Sequence, residues 1–187
     1  MKTKIVSKVK AGTILISEPF LVDYYFKRTV ILLPEHNDKG SMGFVINKPL
    51  DIRVNEVVPD MPAFDAPLYS GGPVQNDMLY FIHTLGMIVP NAQKITKDLY
   101  WGGDFEKLKE LIEEGIAKPE NVRFLAGYSG WEKGQLDSEI EHHSWLIADT
   151  PQEIISEDSE DLWGKLIRDS HTPYAIWGNF PENPSLN

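Results

Sequence analysis

The chain has no cysteine among its 187 residues. Disulfides, thiol nucleophiles and thiolate metal sites are therefore excluded. It also lacks long apolar runs. No stretch approaches the roughly 20 residues that a membrane-spanning helix needs. The opening MKTKIVSKVK carries lysines with no apolar segment behind them, so it does not make an export signal. With neither signal, the expected location is the cytoplasm, and no membrane contact is expected. Basic residues are scarce too: 18 Lys and Arg stand against 28 Asp and Glu, a formal charge of −10. A duplex is bound by releasing its counterions to a basic surface, so this balance argues against nucleic acid as a partner.

What is present fits a folded domain. Hydrophobic residues make up 42% and charged residues 25%, which is ordinary for a globular protein with its own core. No Gly/Ser- or Pro-rich linker divides the chain, so one domain is expected over 1–187. Residues 1–10, with Lys2, Lys4, Lys8 and Lys10, read as a basic solubilising arm, and 178–187 as an irregular tail.

Short apolar runs bounded by glycine and proline predict strands over 12–17, 28–35, 42–49, 77–85, 121–128 and 144–149. Another is expected to end in the glycine turn of LYSGGPV, residues 68–74. The second and third pair as an antiparallel hairpin with HNDKGS (36–41) as its loop. Three prolines between 50 and 67 suggest a long surface excursion. Residues 104–115 have a helical apolar period, with Asp104 as cap and Gly115 as stop, and 159–170 repeat that pattern with Leu162, Trp163, Leu166 and Ile167 inward. A shorter helix is expected over 135–143. Strands come first and helices gather late, which predicts α+β with a mixed or antiparallel sheet.

Residues 127–140, GYSGWEKGQLDSEI, invite comparison with the nucleophile elbow G-x-S-x-G. Gly127 and Ser129 fit, but Trp131 stands where the last glycine belongs, so the motif fails. The expectation is instead a strand-to-helix turn made by Gly127 and Gly130. YSGGP (69–73) is a glycine turn without the length or lysine of a phosphate loop. Glu139 and His143 are four apart on the expected helix, but a solvated face accounts for them. No metal and no cofactor is assigned. Acids crowd 153–161 with no base among them.

Three segments together resemble the AlgH-type (YqgE) family of bacterial proteins: 12–50, YSGGPVQNDMLYFIHTL (69–85) and GYSGWEKGQLDSEIEHHSW (127–145). Their order and spacing match the family over nearly the whole chain. The resemblance implies a bifurcated sheet closing into a pseudo-barrel. It also brings the label of transcriptional regulator that members often carry. It transfers no catalytic residue. The positions it offers as a ligand site are His36, Asn47, Gly71, Gly72, His83, Tyr128, Gly130, Trp131 and Gln135. The chain departs from the pattern at Met78-Leu79, where members commonly have Arg-Gly, and at Glu132-Lys133, where they have Gly-Pro.

The function expected from the sequence is a non-enzymatic regulatory protein that binds a small ligand or a protein partner. Two alternatives remain open: a hydrolase-like enzyme using His36 or His83 with a nearby serine or carboxylate, and a regulator that binds DNA directly.

Overall fold

The computed structural model describes residues 3–21, 23, 25–157 and 161–180. Among these residues ten strands and four helices follow one another. They are β1 (Thr13–Ser17), β2 (Val30–Asn37), β3 (Gly40–Val45), β4 (Pro49–Arg53), α1 (Val54–Val57), β5 (Pro67–Ser70) and β6 (Val74–His83). After these come β7 (Gln93–Lys94), β8 (Tyr100–Trp101), α2 (Phe105–Glu113), β9 (Val122–Glu132), α3 (Gln135–Glu141), β10 (Trp145–Asp149) and α4 (Leu162–Arg168). 3-10 turns occupy Gly86–Ile88 and Pro173–Asn179.

The strands run in the order β10-β1-β2-β3-β9-β6-β8-β7, with every neighbour antiparallel. The long strand β9 is where the sheet branches. On one edge it pairs with β6. Its other edge is shared: residues 129–132 pair with β3, while Leu125 and Ala126 pair in parallel with β5, which carries β4. The bifurcation implied by the resemblance is therefore present. Closure is not, because among the described residues no pairing joins β10 to β7.

Strand β1 is buried at all five positions, and its side chains alternate between two cores. Ile14 and Ile16 meet Leu162, Trp163, Leu166 and Ile167 of α4, whereas Leu15 meets Trp131, Trp145 and Leu136 on the opposite face. A strand covered on both faces loses polar alternation, which is why its centre, Ile14 to Ile16, is continuously apolar. A third core lies under α2, where Leu108, Leu111 and Ile112 pack on Phe81 and Phe124. Asp104 caps that helix by accepting from the Lys107 amide at 3.0 Å.

Several expectations are corrected. The hairpin loop is much shorter than HNDKGS. His36 pairs with Ser41 and Asn37 with Gly40, leaving Asp38 and Lys39 as the turn. The excursion 50–67 contains β4 and α1, and it buries Val54, Met61 and Phe64 in the α2 core. The basic arm is no free tail: Ile5 bridges to Ala148, Lys4 pairs with Asp149 at 3.0 Å, and Val9 is buried. The acids of 153–161 do meet bases, since Glu157 pairs with Lys165 and Asp161 with Arg168. Both cations come from the helix that follows. Asp158, Glu160 and residues 181–187 of the expected tail lie outside the described residues.

Candidate functional site

The stretch GYSGWE is strand rather than turn, and β9 runs through it to Glu132. Gly127 is left-handed (φ 74°), but Gly130 is not. The kink at Gly127 changes side-chain parity along the strand. Leu125 and Tyr128, three apart, pack against the same core, while Trp131 belongs to the opposite one. The glycine turn after β5 fits into this kink. A Cβ on Gly71 would lie 2.2 Å from the Gly127 carbonyl oxygen, and one on Gly72 would lie 2.2 Å from the Tyr128 carbonyl carbon. These glycines let two backbones touch.

The remaining sequence candidates separate into several places. Trp131 is buried, and its indole donates to Glu139 Oε2 at 2.9 Å. Trp145 donates to the same oxygen at 2.8 Å, and Gln135 Nε2 to Glu139 Oε1 at 2.9 Å. One carboxylate thus ties α3 to β9 and β10. Helix α3 ends at Glu141, and His143 is left-handed (φ 61°), so Glu139 and His143 do not share a helical face. Among the described residues, no group of three or more His, Asp or Glu side chains gathers as a metal site.

His83 is completely buried, stacked on Tyr100 at 5.8 Å, with Nε2 3.2 Å from the Gly102 carbonyl oxygen and Nδ1 unpartnered. Burial lowers its pKa below the ordinary histidine value, and the Gly102 hydrogen bond opposes this only in part. His36 is half-exposed and lies 2.8 Å (Nδ1) from Ser41 Oγ, its cross-strand partner. It borders a depression of about 260 Å³ with Lys8, Asp137 and Glu141. The serine and histidine are within reach of one another. Among the described residues, however, no carboxylate is hydrogen-bonded to the ring to orient it, as a relay for nucleophilic attack requires. His83 and Ser129, both buried, are in no position to meet a substrate.

Asn47 alone leads to a substantial cavity. Its Oδ1 accepts from the Val30 amide at 2.8 Å, and its Nδ2 donates to the Arg28 carbonyl at 2.9 Å. The side chain stitches the entry to β2 onto the β3–β4 connection and so fixes Arg28 beside Lys48. Opposite them, α4 and the turn Pro173–Asn179 lie close enough that a Cβ on Gly178 would be 2.6 Å from the Gly164 carbonyl oxygen. Arg168 joins these two by binding Asp161 and donating to the Gly178 carbonyl at 2.6 Å. The space between them is about 670 Å³, within the range of small-molecule sites. Its lining includes Arg28, Lys48, Arg168, Asp161, Trp163 and Phe180. The Arg28 guanidinium lies over the Trp163 ring, 4.8 Å from its centroid. Trp163 is anchored in turn by donating to the Ser17 carbonyl at 2.9 Å.

Sequence reasoning missed Arg28, Lys48, Trp163 and Arg168 as neighbours because they come from three separate segments, the last two from α4. It also missed Arg123, although an arginine inside the apolar run NVRFLAGY was a visible signal. Arg123 is buried over the Tyr69 ring at 4.5 Å, and it donates to the carbonyls of Ile46, Ile155 (2.6 Å) and Glu157 (3.2 Å). Burial lowers its pKa. It fastens residues 155–157, which lead into α4, to the sheet.

The branched α+β sheet defines a known fold class. A solved structure from Corynebacterium diphtheriae has it with a TM-score of 0.77 at 24% identity, over 93% of this chain and 94% of that one. The solution structure of the AlgH protein from Pseudomonas aeruginosa has it with a TM-score of 0.68 at 26% identity, over 96% and 99%. The AlgH-like family model matches residues 14–175. UPF0301 proteins of Chlorobaculum parvum and Cytophaga hutchinsonii are 43% and 44% identical, over 96% and 94% of this chain and 96% and 98% of theirs. The chain belongs to the AlgH-like family.

Proposed function

We propose that this is a non-enzymatic regulatory protein of the cytoplasm, which senses a small ligand in the cavity between α4 and Asn47. The observation that carries this reading is the cavity itself: about 670 Å³, walled by charged side chains and an anchored indole, with its walls held by hydrogen bonds of Asn47, Trp163 and Arg168. A regulatory role follows from where the walls belong. They come from the β1–β2 and β3–β4 connections, α4 and the Pro173–Asn179 turn, so a ligand there would bridge elements far apart in the chain. A ligand that does so is able to shift the balance between their arrangements. Among the described residues, no helix is long and apolar enough to cross a membrane.

Direct DNA binding is the weaker reading. Among the described residues six cations, Lys4, Arg53, Lys107, Lys109, Lys165 and Arg168, are ion-paired to acids, which breaks up basic surface in a chain of charge −10.

The test is a thermal-shift screen of metabolites on the intact protein, repeated on Asn47→Ala for every hit. Stabilisation that is lost in the variant supports the reading. Hits that persist unchanged in Asn47→Ala, or no hits in a broad screen, would count against it.

A further inference from the structure

Gly130 takes no part in the glycine junction or in the α4 cavity. We infer that it is the floor of a docking surface, on the open part of the sheet face that carries α4, for a lysine- or arginine-bearing extended segment of a partner protein. This surface does not depend on the reading of the cavity.

The floor follows from the strand. Gly130 lies within β9, is exposed, and is not left-handed. A Cβ there would meet one ring carbon of Tyr128 at 3.5 Å and no backbone, unlike the Cβ positions at Gly71, Gly72 and Gly127. Glycine weakens a strand interior, and where no part of the chain fills its gap it leaves room for close approach. Alternation along β9 fixes what surrounds it. Trp131 belongs to the core with Leu15, so Tyr128, Gly130 and Glu132 face the other way. Met42 lies directly across from Gly130, and Glu35 directly across from Met42, on that same face.

The cation follows from the walls. Tyr80 of β6 meets Tyr128 at 5.9 Å, and buried Phe44 backs both Tyr80 at 5.4 Å and Trp101 of β8 at 5.7 Å. Tyr80, Trp101, Tyr128 and Met42 are half-buried, resting on the core of Ile14 and Ile16. Tyr80 is braced by donating to Gln75 Oε1 at 3.0 Å. Other rings of the chain carry a cation, as Trp163 carries Arg28 and Tyr69 carries Arg123. Among the described residues none lies over Tyr80, Tyr128 or Trp101. Glu35 and Glu132 are exposed on the same face, and Asp77 is close enough that its charge helps, after burial and Tyr128, to raise the Tyr80 pKa. Among the described residues none of these three carboxylates is ion-paired. Ring faces and unpaired carboxylates together attract a cation. A lysine or arginine stem can lie along Met42 and the Gly130 floor with its head at the rings and acids. The surface is open and crosses several strands, which suits an extended chain, whereas a small molecule needs a concave site. A second copy would bring its own charge of −10 and be repelled.

Titration of the intact chain with a terminally blocked trilysine peptide, followed through the Trp101 indole signal in a nitrogen–proton spectrum, tests this. Trilysine is expected to shift that signal with a Kd of about 1 mM or tighter. The same peptide with acetylated side chains, which keeps the stems and loses the charge, should bind at least about tenfold more weakly. Glu132→Gln should weaken trilysine about threefold or more, whereas Glu113→Gln on α2, an equal change in total charge, should not. Gly130→Val fills the floor and should remove most of the binding, with a thermal melt alongside to confirm folding. Tyr128→Leu should weaken binding several-fold at similar bulk. Equal weakening by Glu132→Gln and Glu113→Gln would mean attraction to the overall charge, and overturns the inference. So does a Trp101 signal that stays in place at about 10 mM trilysine, or one that the acetylated peptide shifts equally well. A Trp101 shift on raising the protein concentration alone would put a second copy on this face, and overturns it too.

Discussion

Two glycine-bearing regions meet different fates. Around β9, Gly71, Gly72 and Gly127 bring backbones into contact and leave no space. Between α4 and the Pro173–Asn179 turn, Gly164 and Gly178 also bring backbones together, but the contact forms one wall of a cavity of about 670 Å³. The first region holds most of the motif that the sequence displays. The second holds almost none of it. A glycine cluster reports close approach, and whether a ligand profits depends on what the approach encloses.

The difference can be attacked first where it is largest. Gly71→Ala sets a Cβ against a backbone oxygen that cannot yield, so a loss of about 3 kcal/mol or more is expected in urea denaturation. A loss under about 1 kcal/mol would mean that the junction is looser than described.

Glu139→Ala comes next. It leaves two largely buried indole N–H groups without their acceptor, at a cost of about 2 kcal/mol. Chemical denaturation checks this, and ligand binding in the cavity should survive.

The third effect depends on pH. The unfolded imidazole takes a proton near pH 6.5, whereas buried His83 does so only at lower pH. Acidification below about pH 6.5 therefore loads the unfolded state with more protons, and stability falls by up to about 1.4 kcal/mol per pH unit until the lowered pKa is reached. Above about pH 6.5 both states are neutral at this residue and the effect vanishes. In His83→Gln, stability followed by denaturation between about pH 4.5 and pH 7.5 should lose this component. An unchanged slope would show that His83 does not titrate as buried.

The smallest expected effect belongs to the cavity. Phe180→Ala should change stability by less than about 1 kcal/mol in a thermal melt, since the ring is 42% exposed at the rim of the cavity. A large loss would mean that the cavity wall is scaffold, like the glycine junction.

Much of the fold was legible. Periodicity located α2 with its Asp104 cap, as well as the inner face of α4, and apolar runs located β1, β2 and β10. The extent of β9 was not, because GYSGWE mimics a turn in composition, and pairing of Tyr128 with β6 and of residues 129–132 with β3 keeps it extended. The two-residue hairpin turn was hidden as well, since His36 and Ser41 look like loop residues until they pair. Of the proposed site residues, Asn47 alone lines the large cavity. His83, Gly71 and Trp131 serve the interior, and His36 borders a different depression. Arg28, Lys48 and Trp163 are brought together by sheet topology, and no local spacing encodes that.

The central claim is that ligands enter the α4 cavity and not the glycine junction. The five tryptophans give an indole resonance at each place. In a two-dimensional nitrogen–proton spectrum recorded during titration with a compound that stabilises the intact protein but not Asn47→Ala, the Trp163 and Trp177 indole signals should shift, while those of Trp131 and Trp145 stay in place. Movement of Trp131 and Trp145 with Trp163 unmoved would place the site at the motif-rich face of β9 and contradict the account.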